Sequence, residues 1–412
     1  MKKKFKKMKI LHTSDWHLGK RLDDFPRFDE QQAVMNEICE IADRENVDAV
    51  LVAGDLFDTF NPPTEAVDLL YKTLKKLTNG GKRSVIAIAG NHDSPDRIEA
   101  PDPLARECGI IFAGYPGTVV PTFELETGLK IFHSEEGFIE INLPGNPVPL
   151  RLLLTPYANA LRFKTFLGEE NSEAEMRNLL QQKWAQLAAK HCDEKGVNIL
   201  VSHLFLVEEG GEIPEEPDDE KPVLHVGGVQ AVYTKNIPEN IQFTALGHLH
   251  RMHSPGRNAW YCGSPLSYSF AEAGQKKYIL LAEIEPGKQA KVTPVELTSG
   301  KKLLRFRAEG VDAAMDWLHQ NLDCLVELTL ATDNFLTAAE RKQLNLVHNG
   351  IVALIPEVKN TGLSETFHRK NIDPGKSMDA LFREYFQFAK GQEPNDEIME
   401  LFVELLAQEE EK

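Results

Sequence analysis

Short apolar runs divided by glycine and polar residues set the pattern of the N-terminal part of the chain. They are Ile10 to Ser14, Val47 to Ala53, Ser84 to Ala89, Val197 to Ser202 and Phe243 to Leu246. Runs of this length, rich in Val, Ile and Leu, predict buried strands. Between the first two, Phe28 to Asp43 has helical spacing, with Ala33, Ile38 and Ile41 among its apolar positions. A second helix is predicted over Thr64 to Leu77, started by Pro62-Pro63 and stopped by Asn79-Gly80-Gly81, and a third over Glu173 to His191. Strands Lys277 to Ile284 and Ala290 to Leu297 flank a Pro286-Gly287 turn. Residues 8–297 therefore read as one α/β domain.

Ser299-Gly300-Lys301-Lys302 looks like a boundary. Beyond it the pattern is strand (Leu303 to Arg307), helix (Val311 to Asn321), strand (Cys324 to Leu330), helix (Thr337 to Leu346) and strand (Ile351 to Pro356). This predicts a small α+β domain over 301–365. In the segment 374–410, Met378, Leu381, Phe382, Tyr385, Phe386 and Ala389 recur at helical spacing. Ile398, Leu401, Phe402, Leu405 and Leu406 repeat it after the break at Gly391 to Asn395. Two amphipathic helices are expected there, packed on their own domain or docked into a partner's groove or coiled coil.

The polar residues that close the five apolar runs carry the chemistry. They are Asp15 and His17; Asp55 and Asp58 after Gly54; Asn91, His92 and Asp93 after Gly90; His203; and His248 and His250 after Gly247. In an open sheet, ligands gather in the crevice beyond the strand ends, so these oxygens and imidazoles are expected to converge on one edge. Such a set suits two divalent metals that clamp the attacking and leaving oxygens of an in-line displacement. Asp55, at a strand tip, is placed to bridge them. Asp15 and His17, two residues apart, point the same way if the strand continues, as do His248 and His250. Gly54, Gly90 and Gly247 allow sharp turns and close approach.

In order and spacing, Asp15-x-His17, Gly54-Asp55-x-x-Asp58, Gly90-Asn91-His92-Asp93, Ser202-His203 and Gly247-His248-x-His250 resemble the calcineurin-like metallophosphoesterase family. The strings Thr13 to Gly19, Gly54 to Thr59, Val226-Gly227-Gly228 and Tyr261 to Pro265 narrow the resemblance to nuclease subunits of bacterial DNA-repair complexes. It runs from about Met8 to the C-terminus and is only architectural beyond residue 270. It implies an α+β sandwich with a capping domain and C-terminal helices. It also implies that Asp15, His17 and His250 hold one ion, that Asn91, His203 and His248 hold the other, and that Asp55 bridges them. His92 would stand beside the scissile phosphate, stabilising the transition state or protonating the leaving oxygen. The implied metal is Mn2+, with which oxygen and nitrogen donors are compatible. The implied partners are DNA, a coiled-coil ATPase gripped by the terminal helices, and a second copy of the chain. Archaeal and eukaryotic relatives carry His where this chain has Asp58, which favours Asp58 orienting a ligand or His92 over contacting DNA. For Asp58 and Asp93, a plain structural role stands beside that one.

Composition alters this picture little. The 412 residues suit more than one domain, and 42% hydrophobic and 26% charged residues are ordinary for a globular chain. A net charge of −17 argues mildly against a protein that coats nucleic acid, but much of it is local: an acidic loop at 208–220 and the Glu409 to Glu411 tail. No stretch is apolar enough to span a membrane. The lysine-rich start lacks the apolar region of a signal peptide, and Met8 is an alternative start. Five scattered cysteines without C-x-x-C suggest reduced thiols and a cytoplasmic setting. Two other readings remain: a phosphomonoesterase or phosphodiesterase for small molecules, and a non-catalytic scaffold for a DNA-bound ATPase.

Overall fold

The apolar runs become central strands because both of their faces are covered. A computed structural model describes residues 7–163, 172–211, 231–333 and 336–358, together with 378, 381–383, 386, 394, 399 and 402. The lysine-rich start, most of the acidic loop, Val226-Gly227-Gly228 and most of the C-terminal helical segment lie outside these described residues.

The chain begins with β1 (Met8–Thr13), α1 (Phe28–Arg44), β2 (Ala49–Ala53), α2 (Thr64–Leu77), β3 (Ser84–Ile88), α3 (Pro95–Glu99), α4 (Asp102–Arg106) and β4 (Ile110–Ala113). It continues with β5 (Phe123–Glu124), β6 (Lys130–Glu135), β7 (Phe138–Asn142), β8 (Leu150–Thr155), α5 (Ala160–Phe163), α6 (Ser172–His191), β9 (Val197–His203), β10 (Leu206–Val207) and β11 (Val232–Tyr233). Then come β12 (Phe243–Gly247), β13 (His253–Gly256), β14 (Ala259–Tyr261), β15 (Lys277–Ile284) and β16 (Lys291–Leu297). The last elements are β17 (Lys302–Glu309), α7 (Val311–Gln320), β18 (Cys324–Thr332), α8 (Ala338–Val347) and β19 (Ile351–Val358).

Two sheets stack face to face. One has the order β16-β15-β1-β2-β3-β4, the other β13-β14-β12-β9-β8-β7-β6-β5. Between them lies an apolar layer that includes Ile10, Leu51, Ile86, Ile139, Leu152, Val201 and Phe243. α1 and α2 cover the outer face of the first sheet through Val34, Ile38, Leu70 and Leu74. α6 covers the outer face of the second through Met176, Leu180 and Trp184. His12, on β1, is buried in the inter-sheet layer, where its Nε2 meets the Leu246 carbonyl at 3.1 Å. The ligand-bearing strands are therefore shared between two sheets, β1 to β3 in one and β9 and β12 in the other. This corrects the expectation of a single sheet edge: the convergence point is where the ends of both sheets meet.

The third sheet, β17-β18-β19, carries α7 and α8 packed by Ala314, Leu318, Val326 and Leu344. Leu303 and Leu325 of this sheet share an apolar cluster with Leu22 and Phe270 of the larger fold. Between β16 and β17, Glu37 accepts from the backbone N–H groups of Thr298 and Ser299 at 2.9 Å each. Among the described residues, those up to 332 together with 336–357 form one compact unit, and Asp333 with Val358 and the few described beyond it fall in a second. In the second unit Phe382 stacks on Phe402 with ring centroids 3.9 Å apart.

Candidate metal centre

The centre is assembled by loops that zip together beyond the strand ends. β1 stops at Thr13, so Asp15 and His17 lie on a turn and not on a continuing strand. Asp15 N–H donates to the Gly54 carbonyl (2.9 Å), His17 N–H to Asp55 (3.0 Å) and Leu18 N–H to Leu56 (3.0 Å). Asp15, His17, Asp55 and His248 all have left-handed backbone, with φ of 53°, 43°, 49° and 104°. Such geometry costs on the order of 1 kcal/mol per residue and persists only where the surroundings impose it. Two glycines permit the approach of these loops. A Cβ on Gly90 would stand 2.0 Å from Asp55 Oδ1, and one on Gly247 would stand 1.9 Å from the Ala53 carbonyl oxygen.

All seven side chains singled out as ligands come together. Asp15, His17 and His250 form one buried group whose ligand-capable atoms lie within 4.8 Å of one another. His17 Nε2 faces His250 Nε2 at 3.0 Å. In the other group, Asn91 Oδ1 lies 2.9 Å from His203 Nε2 and 3.0 Å from His248 Nδ1. Asp55 stands between the groups, its Oδ2 3.2 Å from His203 Nε2 and 3.6 Å from His17 Nε2. Asp15 also accepts from the His248 N–H at 2.8 Å, so the groups share a frame.

The donor chemistry fits divalent ions. His203 Nδ1 donates to the Ala53 carbonyl at 2.8 Å, which leaves Nε2 to face Asp55 and Asn91. Without a metal, Nε2 must also carry a proton to satisfy those two acceptors. Burial lowers the His203 pKa, but Asp55, with Asp15 behind it, outweighs burial and raises it to about 9. Burial would raise the Asp55 pKa; the facing His203, His92 and His17 hold it well below the usual carboxylate range. A cation among these atoms would take the place of the extra proton, and two imidazole nitrogens 3.0 Å apart at His17 and His250 are likewise suited to a shared ion.

His92 stands beside this set. Its N–H donates to Asp55 Oδ1 (2.9 Å), and its Nδ1 donates to the Asp58 carbonyl (2.9 Å). The Asp58 carboxylate is 3.5 Å from His17 Nδ1 and 3.6 Å from Lys20 Nζ. Asp93 accepts from the backbone N–H groups of Leu56, Phe57 and Gly90 at 3.0, 2.9 and 2.8 Å, locking two loops together.

Other supporting residues lack a sequence signal. Glu272, on a short 3-10 turn, lies 3.5 Å from His250 Nδ1 and pairs with Lys277. Burial opposes its ionisation, and Lys277 and His250 overcome that, lowering its pKa. Arg162 is buried and donates to the carbonyls of Gly90 (2.8 Å) and Asp93 (2.9 Å), which fixes the loop that carries Asn91. Only the basic or acidic character of these residues shows in the sequence; their neighbours there give no motif. Cys262, beside Ser14, has its thiol pushed up by burial, and all five cysteines are free.

A strand-loop framework that presents Asp, Asn and His from two stacked sheets defines a metallophosphoesterase. Residues 8–252 match the family model of calcineurin-like phosphoesterases, and the chain belongs to that family. Over 98% of its length it is 34% identical to the D subunit of the nuclease SbcCD from Bacillus subtilis (strain 168), covering 99% of that protein. It is 32% identical to the corresponding SbcCD nuclease protein of Rhodobacter capsulatus, over 74% of this chain and 72% of that one. Among solved structures, a dimetal phosphatase from Danio rerio aligns with 71% of this chain and 99% of its own at 11% identity and a TM-score of 0.37.

Proposed function

We propose that the chain is a divalent-metal-dependent DNA nuclease that works with an SbcC-type ATPase in DNA repair and recombination in the cytoplasm. The observation that carries this reading is the meeting of Asp15, His17, Asp55, Asn91, His203, His248 and His250 in one cluster. Likeness to the SbcCD nuclease protein of Bacillus subtilis along nearly the whole chain supports the choice of DNA as substrate. In this reading Asp15, His17 and His250 would hold one ion, Asn91, His203 and His248 would hold a second, and Asp55 would be shared between them. The oxygen and nitrogen donors are compatible with Mn2+. When bound, such ions supply Lewis-acid activation of water and neutralise charge at the phosphate.

The chain's own groups do the rest. The Asp58 carbonyl fixes the proton of His92 on Nδ1, so Nε2 is the nitrogen that would hold a proton for the leaving oxygen. Asp58 steadies both His17 and His92, and Glu272 steadies His250. The expected activities are double-strand exonuclease and single-strand or hairpin endonuclease. Residues 301–365 would cap bound DNA, residues 374–410 would dock the ATPase, and two copies of the chain would pair.

The test is a nuclease assay of the purified chain on a hairpin-ended duplex with Mn2+, Mg2+ or EDTA, beside Asn91→Ala. Mn2+-dependent cleavage that is lost in the variant is the expected result. Strong hydrolysis of bis-p-nitrophenyl phosphate with no DNA cleavage, even with the ATPase partner added, would overturn the substrate assignment and leave the metal centre standing.

A further inference from the structure

The geometry points to an additional divalent-cation site of the Zn2+ class, formed by His133, Glu135 and His191 on the outer face of the second sheet. It begins with a fault in strand pairing. β6 pairs with β7 in one register up to Ile131↔Ile141, then shifts, so that His133 faces Glu140 and Glu135 faces Phe138. Phe132 is the extra residue. Because side chains alternate along a strand, one inserted residue turns everything after it to the other face. Ile131 therefore lies in the inter-sheet layer, whereas His133 and Glu135 join the face of Phe138, which α6 covers.

α6 brings the third group. Its last residues are Lys190 and His191. The His191 ring stacks on Phe138 with centroids 4.2 Å apart, and the His133 ring lies 4.9 Å from it. Glu135 meets His191 Nε2 through Oε1 and Lys190 Nζ through Oε2, both at hydrogen-bond contact. His133 Nε2 is shut off from solvent and has no hydrogen-bond partner among the described residues. One ligand-capable atom from each of the three residues falls within 4.8 Å of the others. Around a tetrahedral Zn2+ with bonds of roughly 2.0–2.2 Å, donor atoms stand about 3.3 Å apart, so small side-chain rotations would close the site.

The donor set selects the ion. Two imidazoles and one carboxylate suit Zn2+, Co2+ or Ni2+, whereas Mg2+ and Ca2+ ask for oxygens. Lys190 is the competitor, since it neutralises Glu135 when no metal is present. Its side chain is 60% exposed, so it can swing into solvent when the ion enters. The site is separate from the centre described above. Glu135, Phe138, Leu153 and Leu200 are neighbours across four strands, on the face opposite that of His203. An ion here would fasten the end of α6 to β6.

The test is zinc content by plasma mass spectrometry on the full chain after equilibration with Zn2+ and gel filtration, for the parent, His133→Gln, His191→Gln and Lys190→Ala. Each histidine variant should hold one zinc fewer per chain and keep its Mn2+-dependent hydrolysis of bis-p-nitrophenyl phosphate. Lys190→Ala should hold zinc more tightly than the parent. Equal zinc content in the parent and both histidine variants would overturn the site. Crystals of the unaltered chain soaked in Zn2+ guard against a folding defect in the variants. An anomalous peak among His133, Glu135 and His191 supports the site, and its absence at saturating zinc overturns it.

Discussion

At the joint of the two sheets every candidate ligand hangs from a loop or a strand tip, and four of them sit in left-handed backbone. On the outer face, His133 and Glu135 project from a strand and His191 from a helix end, all in regular geometry apart from one bulge. The loops of the first region are pinned by backbone bonds such as Asp15 to Gly54 and by side chains such as Asp93 and Arg162. The trio of the second is balanced by an exposed lysine. A strained, over-determined frame holds donors close together even when they repel or compete for protons. A frame of regular elements lets its donors relax onto other partners. The first should therefore be brittle toward substitution and the second tolerant.

The largest effect is expected at the shared carboxylate. Asp55→Asn should cut Mn2+-dependent phosphodiester hydrolysis on the order of a thousandfold, because it weakens charge at the point where both ligand groups meet. Steady-state rates at saturating Mn2+ check this, and retention of parental rates would break the comparison at its strong end. Next is Gly90→Ala, whose Cβ would enter the space of Asp55 Oδ1. It should destabilise the fold by about 3 kcal/mol. Denaturant unfolding reads this directly, and a midpoint equal to the parent's would show the loops to be looser than described.

Acid sensitivity sharpens the contrast further. Burial lowers the His12 pKa from 6.5 to about 3, against the opposing pull of the Leu246 carbonyl. The unfolded chain takes up this proton near 6.5 and the native chain only near 3, so the stabilising term is complete above pH 6.5 and is lost as pH falls. At pH 5 the loss is about 2 kcal/mol. His12→Gln should be less stable than the parent at pH 7.5 and show a shallower fall between pH 6.5 and 4. Parallel curves would mean that His12 titrates normally. The smallest effect is expected for Glu272→Gln, which loosens His250 without removing a ligand and should weaken Mn2+ binding roughly tenfold. Calorimetric titration with Mn2+ would decide it, and unchanged affinity would confine Glu272 to pairing with Lys277.

Much of this arrangement was legible in the chain. The apolar runs marked the strands that end near Asp15, Asp55, Asn91, His203 and His248, and the predicted helices over 28–43, 64–77 and 173–191 differ from α1, α2 and α6 by a residue at most. Those signals are local: side-chain periodicity and turn residues. Division of the ligand strands between two sheets was not legible, because it depends on β5 to β8, short antiparallel strands with a bulge, and on pairings far apart in sequence. The left-handed turns at Asp15 and His17 were hidden for a similar reason. The partner that imposes them, the Gly54 to Leu56 backbone, is nearly forty residues away. Glu272 and Arg162 reach the centre only through tertiary packing.

Leu22 lies on the loop that follows His17, and it shares its apolar cluster with Leu303 and Leu325 of the three-stranded sheet. Packing shared in this way should make that loop and the small sheet open together. The amide protons of residues 17–22 should exchange with solvent on the same timescale as those of β17 and β18, and a substitution such as Leu325→Ala should speed exchange at both places at once.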